Sequence, residues 1–343
     1  MADSPTFSVQ RSTPASRAAL VMGLVLLALL AAAPLWAGRA ELRLLIEIFY
    51  YLALAQMWNL LAGYAGLVSV GQQAYVGLGG YALFALSGFL GVPPLLAIVL
   101  AGVVAAILAV PTALVVFRLR GAYFAIGTWV VAEVYRLTMA QVSALGGGSG
   151  MSLPVDVVRS IAEGRDMREF LVYWVALGIV VLAIAVVYFL LRSRQGLALT
   201  AIRDSEPASE SLGVNNYRTK FLVYVTVGFV TGIIGALIFL QKLRISPDAA
   251  FSVNDWTAFV IFIVVIGGIG RIEGPIIGVV LFFILRELFA DYGTWYLMLL
   301  GAVAVLIMLR APRGLWGLVA DRFDLELFPV RRSVRLKETR PDA

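Results

Sequence analysis

The sequence predicts an all-α fold, a polytopic membrane bundle of about ten transmembrane helices. Three observations carry that reading. Of the 343 residues, 61% are hydrophobic and only 14% charged, and the mean hydropathy is +0.92. A water-soluble domain of this size carries roughly a quarter of its residues as Asp, Glu, Lys or Arg, so lipid must solvate most of this chain. The apolar runs are about 20 residues long, the length a helix needs to cross a bilayer and twice that of a strand in a membrane barrel.

The runs fall over residues 19–37, 43–62, 66–90, 95–117 and 121–141, then 169–192, 219–241, 255–270, 274–290 and 294–310. A helix satisfies its own backbone hydrogen bonds where water is missing, so each run is expected to be helical. Residues 66–90 are too rich in glycine for a simple rod. The apolar run ending at Ala31, Ala32 and Ala33 follows a long polar lead and precedes further spans. It reads as an uncleaved anchor.

Orientation follows from Lys and Arg. With the N-terminus inside, Arg118, Arg120, Arg192, Arg194, Arg203, Arg218, Lys220, Arg271 and the tail arginines fall on the cytoplasmic side. Arg39, Arg43, Arg159, Arg165, Arg168, Lys242 and Arg244 fall outside. The split is roughly 18 against 7, and an even number of spans places both basic termini inside. The expected division is a cytoplasmic tail over 1–18, a transmembrane domain over 19–317 with a cytoplasmic loop at 192–220, and a cytoplasmic tail over 318–343. The net charge of +6 is then the charge of these loops rather than a nucleic-acid surface.

Cysteine and histidine are both absent, which removes thiol nucleophiles, disulfides, Cys/His zinc sites and imidazole proton relays. No acidic cluster has metal-ligand spacing, and no cofactor is expected. No Gly-x-x-x-x-Gly-Lys-Ser/Thr loop occurs, so the chain is not its own P-loop ATPase.

Four stretches hold the polar information. The first contains Asn59, Gly63, Gly66, Ser69, Gly71, Gln72 and Gln73 and runs on through Gly77, Gly79, Gly80 and Tyr81. Its polar side chains either line a polar path or serve as packing glue between helices. The second leads from Arg120-Gly121 through Thr128 to Glu133 and Arg136, two charges on one helical face that can neutralise each other. Asn59, Ser69, Gln72, Gln73, Thr128 and Glu133 are the candidate pathway residues.

The third stretch is Arg203-Asp-Ser205-Glu206-Pro207-Ala208-Ser-Glu-Ser-Leu212-Gly213. Pro207 suits a first helical turn, Ser205 or Glu206 its cap and Gly213 its end, giving about two turns with Ala208 and Leu212 on one face. Such a helix either docks in a groove on a soluble partner or lies on the membrane surface. The fourth runs from Ser246-Pro247-Asp248 to Gly267-Gly268-Ile269-Gly270-Arg271-Ile272-Glu273-Gly274-Pro275, where glycine and proline break the chain between two spans.

In this order and at these spacings, the four stretches resemble the LivM-type permease of branched-chain amino acid ABC transporters. The resemblance covers about Tyr51 to Gly317, including the closing Ala311-Pro-Arg-Gly-Leu-Trp-Gly317. It implies an inner-membrane subunit in a bacterium or archaeon that pairs with a LivH-type permease. Two ABC ATPase subunits would dock on the cytoplasmic side, and an extracytoplasmic binding protein would deliver the small-molecule substrate. The segment from Glu206 to Gly213 is similar to the coupling motif Glu-Ala-Ala-x-x-x-Gly of importer permeases. Pro207, Ala208 and Ser209 stand at its first three positions and Glu206 one position early. Coupling to the ATPases would thus involve Glu206, Pro207, Ala208 and Gly213. Gln72 stands where the family commonly has His, and Gly146-Gly147-Gly148 where Thr-Gly-Gly is usual.

The resemblance implies ATP-driven import of branched-chain amino acids with no covalent chemistry on this chain. A urea or short-amide permease on the same scaffold is the alternative. An ion-coupled carrier is a further rival, but Glu133 has Arg136 nearby and Glu287 stands beside Arg286, so neither reads as a free proton carrier.

Overall fold

A computed structural model describes residues 7–10, 14–162, 164–289, 295–311, 313–323, 327–328 and 333–336. Every one of the ten apolar stretches is helical over most of its length. Helix α1 (Pro14–Ala31) is followed by α2 (Arg39–Asn59), whose last turn widens into a π-helix over Leu60–Tyr64. The chain then breaks at 66–71, as the glycines foretell, before α3 (Gln72–Gly88). Helices α4 (Pro94–Val116) and α5 (Ala122–Gln141) lead to a short connection that holds strand β2 (Met151–Ser152) and helix α6 (Val155–Ile161). It is called β2 because β1 (Phe7–Gln10) precedes α1.

Helix α7 (Arg165–Arg192) turns into α8 (Arg194–Asp204) and α9 (Glu206–Ser211), after which α10 (Asn216–Lys242) returns. Strand β3 (Arg244–Ile245) pairs antiparallel with β2, Met151 opposite Ile245, and so closes one end of the bundle. Then come the short α11 (Pro247–Ala250), a π-helical turn over Asn254–Ala258, α12 (Phe259–Gly267), α13 (Glu273–Phe289), α14 (Trp295–Arg310) and α15 (Gly314–Phe323). Helix α15 runs past residue 317, where the sequence reading ends the transmembrane domain. Strand β4 (Ser333–Leu336) pairs antiparallel with β1, which brings the two terminal segments to one place.

Among the described residues, 7 helical segments are long and apolar enough to cross a membrane. The expected count of about ten is thus loose. Helices α3 and α13 have 17 residues each, and α5 carries Glu133 and Arg136 inside its length. Helix α3 is buried along most of its length, so packing holds it in the bundle.

The core is a layer of α3, α4 and α10 with almost no side chain between the backbones. A Cβ placed on Gly79 would lie 2.0 Å from the carbonyl oxygen of Gly232, and one on Gly235 would lie 2.2 Å from that of Val76. Lipid tails are as apolar as leucine, so helices gain by close van der Waals packing rather than by expelling water, and small residues allow it. Around this layer α2 packs on α7 and on α12–α13, with an aromatic cluster of Tyr50, Tyr51, Trp256 and Phe282 at the junction. Helix α1 lies outside, its window almost wholly exposed, as befits a helix solvated by lipid on nearly all sides.

Candidate functional site

Five of the six candidate pathway residues lie along one buried seam, and four of them, Asn59, Ser69, Gln72 and Thr128, bond backbone groups there. Asn59 is completely buried at the end of α2. Its Nδ2 donates to the carbonyl of Arg271 at 2.8 Å, and its Oδ1 accepts from the amide of Gly270 at 2.7 Å. One turn earlier, Gln56 donates Nε2 to the carbonyl of Ile272 at 2.7 Å. The two side chains stand three apart on one face and together hold the glycine-rich loop between α12 and α13. Gly63 lets that loop come close: a Cβ there would sit 2.5 Å from the Gly270 nitrogen.

The break at 66–71 is fixed in the same manner. The indole of Trp58 donates to the Ser69 carbonyl at 2.8 Å, and the Ser69 hydroxyl accepts from the amide of Gly71 at 3.1 Å. Thr128 on α5 accepts from the amide of Val70 at 3.0 Å and donates to the Ala125 carbonyl at 2.8 Å. Gln72 donates to the Leu54 carbonyl at 2.9 Å, while its Oε1 is buried with no partner among the described residues. The Thr257 hydroxyl donates to Gln73 Oε1, which ties α3 to the π-helical turn before α12. A broken helix in lipid needs its freed amides and carbonyls met by side chains, and this seam meets them.

Glu133 lies apart from the seam. It holds Arg136 through Nε at 2.9 Å, and the same guanidinium reaches Asp248 on α11 at 2.6 Å. The predicted pair is a three-residue cluster joining α5 to α11. Ser246 caps α11 and Asp248 lies in its first turn, whereas the sequence marks Ser246-Pro247-Asp248 only as the start of the fourth stretch. Arg286 is paired with Glu47 on α2, at 2.7 and 2.8 Å, rather than with its neighbour Glu287.

The second constellation is the hairpin of α8 and α9 between α7 and α10. Ser205 caps α9, its hydroxyl accepting from the Ala208 amide at 3.4 Å, and Pro207 sits in the first turn. Gly213 takes φ +82, the left-handed conformation that ends a helix at little cost for glycine. The carboxylate of Glu206 pairs with Lys220 on α10, and its carbonyl accepts from Asn216 Nδ2 at 2.9 Å. Ser209 is buried and bonds Asn216 at 2.8 Å. The inward face of α9 is thereby spent on α10, while Ala208 is exposed and Leu212 is 80% exposed. Helix α8, not anticipated from the sequence, buries Leu199 and Ile202, and Arg203 near its end lies beside Gly270. The hairpin therefore touches the very loop that Asn59 and Gln56 hold.

A polytopic bundle of small-residue helices with broken, side-chain-mended spans and a rigid exposed hairpin is the architecture of a membrane permease. A family model described as the permease component of the branched-chain amino acid transport system matches residues 41–309, and the chain belongs to that family. It is 29% identical to the high-affinity branched-chain amino acid transport system permease protein LivM of Salmonella typhimurium, over 88% of this chain and 77% of that one. The LivM protein of Escherichia coli K12 is 28% identical over 88% of this chain and 76% of its own length. A LivM permease of Methanocaldococcus jannaschii is 26% identical over 78% of this chain and 86% of its own. No solved structure matches. Membership makes the chain a transport subunit and not an enzyme.

Proposed function

We propose that this permease imports branched-chain amino acids as one of two permease subunits, driven by a pair of ATPases that dock on the α8–α9 hairpin. A single observation carries the proposal. Helix α9 is anchored to α10 by Glu206, Ser209 and Asn216 and presents Ala208 and, at its end, Leu212 outward, both exposed among the described residues. A short helix held stiffly on one side and apolar on the other transmits a partner's movement and does not absorb it.

The path of that movement is short. Arg203 of α8 lies beside Gly270, and Gly270 is bonded to Asn59 at the π-helical end of α2. Rotation of the hairpin then shifts the seam of Asn59, Ser69, Gln72, Gln73 and Thr128, which acts as the closed gate of the pathway against the second permease. An extracytoplasmic binding protein supplies the solute from the opposite face. The chain lies in the inner membrane with both tails cytoplasmic; the β1–β4 pairing and the excess of Lys and Arg on the hairpin side support this orientation.

The test is Ala208→Asp, which puts a charge at the centre of the exposed face and touches no internal contact. Leucine uptake by cells carrying the variant is expected to fall to background, with the ATPases no longer co-eluting and the permease still folded. Normal uptake with intact assembly would overturn the coupling role. Gly213→Leu is a second probe, since φ +82 strains a branched side chain and should tilt α9.

A further inference from the structure

A cavity of about 860 Å³ opens between α2, α7 and α10, where α7 begins and α10 ends, at the end of the bundle opposite to the hairpin. Four cations line it: Arg43 of α2, Arg165 and Arg168 of α7, and Lys242 of α10. Two carboxylates, Glu47 and Glu169, line it as well, and both are already engaged. Arg286 grips both oxygens of Glu47, at 2.7 and 2.8 Å. Arg43 donates from Nε to Oε1 of Glu169 at 3.1 Å, and the Oε2 of that carboxylate is shut off from solvent.

The cations are not matched in the same way. The side chain of Arg43 stays 59% exposed and carries N–H groups beyond those that face Glu169. Arg165, Arg168 and Lys242 have no carboxylate within ion-pair distance among the described residues. The ammonium of Lys242 sits 4.7 Å above the ring of Trp256, an attraction that fixes its place without neutralising it. A cationic or zwitterionic ligand would bring its positive end to a wall with no open carboxylate. The cavity suits an anion.

Its depth narrows the choice of anion. The spans that contain α2 and α7 have 26 and 28 residues, more than the about 20 that cross the hydrocarbon, so their first turns reach the headgroups. Arg43 is in the second turn of α2, Arg168 at the end of the first turn of α7, and Lys242 at the last position of α10. Leu44, Val172 and Leu240 line the same cavity and place apolar surface beside the charges. Arginine's planar fork matches the oxygens of a phosphate, and basic pockets between spans hold phosphate headgroups. We propose that this cavity binds a phosphate group, held by Arg43, Arg168 and Lys242. An anionic phospholipid headgroup and free inorganic phosphate share that chemistry, and the volume lies within the range of small-molecule sites. The depth and the apolar wall favour the lipid.

The experiment uses the full chain with the subunits that co-elute, delipidated in a neutral detergent and immobilised. Radiolabelled phosphatidylglycerol, phosphatidylcholine and inorganic phosphate are each titrated at fixed ionic strength, because salt screens exposed charges. Phosphatidylglycerol bound over phosphatidylcholine, whose headgroup carries its own cation, assigns the site to the lipid. Inorganic phosphate bound with no preference between the lipids assigns it to the free anion. In either case Arg168→Gln and Lys242→Gln should each weaken binding about tenfold or more, the loss of one charge-assisted hydrogen bond. Arg244→Gln removes a cation at the same end of the bundle that does not line the cavity, and should leave binding unchanged. Arg168 belongs to no ion pair among the described residues, so an unchanged thermal midpoint is expected to accompany its effect. No preference between the lipids together with no bound phosphate would overturn the proposal. So would binding in Arg168→Gln and Lys242→Gln equal to wild type, or an equal loss in Arg244→Gln. None of these readings involves the hairpin, so the coupling role is tested apart from this site.

Discussion

Replacing Asn59 by alanine tests whether the seam, rather than hydropathy, closes the broken end of α2. The substitution deletes the two hydrogen bonds to Gly270 and Arg271 while leaving both backbone groups in a half-buried place. A donor or acceptor left unmet costs about 1–3 kcal/mol when fully buried, so the two half-buried groups together cost about 2 kcal/mol. For a chain of 343 residues, that corresponds to a fall of about 3 °C in the thermal midpoint, read by the fluorescence of the seven tryptophans in detergent. Gln56→Ala removes a third bond to the same loop, so the double variant should lose less than the sum of the singles. Leucine uptake should fall while the ATPases still co-elute, because the hairpin remains intact. An unchanged midpoint together with unchanged uptake in Asn59→Ala would refute the claim that this clamp holds the loop.

Gly79→Val should prevent folding of the α3–α4–α10 layer, since even a Cβ would lie 2.0 Å from a backbone oxygen; Gly178→Ala, where nothing lies within 4 Å, is the neutral control, and size-exclusion chromatography compares the two. Arg286→Gln strands the Glu47 carboxylate, which is partly exposed, so the loss is held to about 1–3 kcal/mol by solvent screening. The double variant Glu47→Gln/Arg286→Gln should melt higher than Arg286→Gln alone. Lys220→Met, which releases a half-exposed Glu206, should shift stability by about 1 kcal/mol or less and instead lower ATPase retention in a pull-down.

Much of this protein is legible in local sequence. Composition and run length give the membrane bundle, and the glycines of 66–90 give the break before α3. Ser205, Pro207 and Gly213 give α9 its beginning and end, because caps and left-handed termini are decided by residues within a few positions of each other. Helix α8 escaped notice because it has only 11 residues, too short for a span, with Gly196 in its first turn.

Tertiary structure alone decided which polar groups meet. Asn59 and Gly270 are 211 positions apart, and Gln73 and Thr257 are 184 apart. Nothing near Asn59 in sequence says whether it lines a path or mends a broken helix. The same holds for charge: Glu287 stands next to Arg286, yet the fold gives Arg286 to Glu47, because neighbours along a helix point in different directions while α2 and α13 lie side by side. Hydropathy is a sum over neighbours and survives without a fold. A hydrogen bond is directional, and its partner is fixed only when the helices have packed.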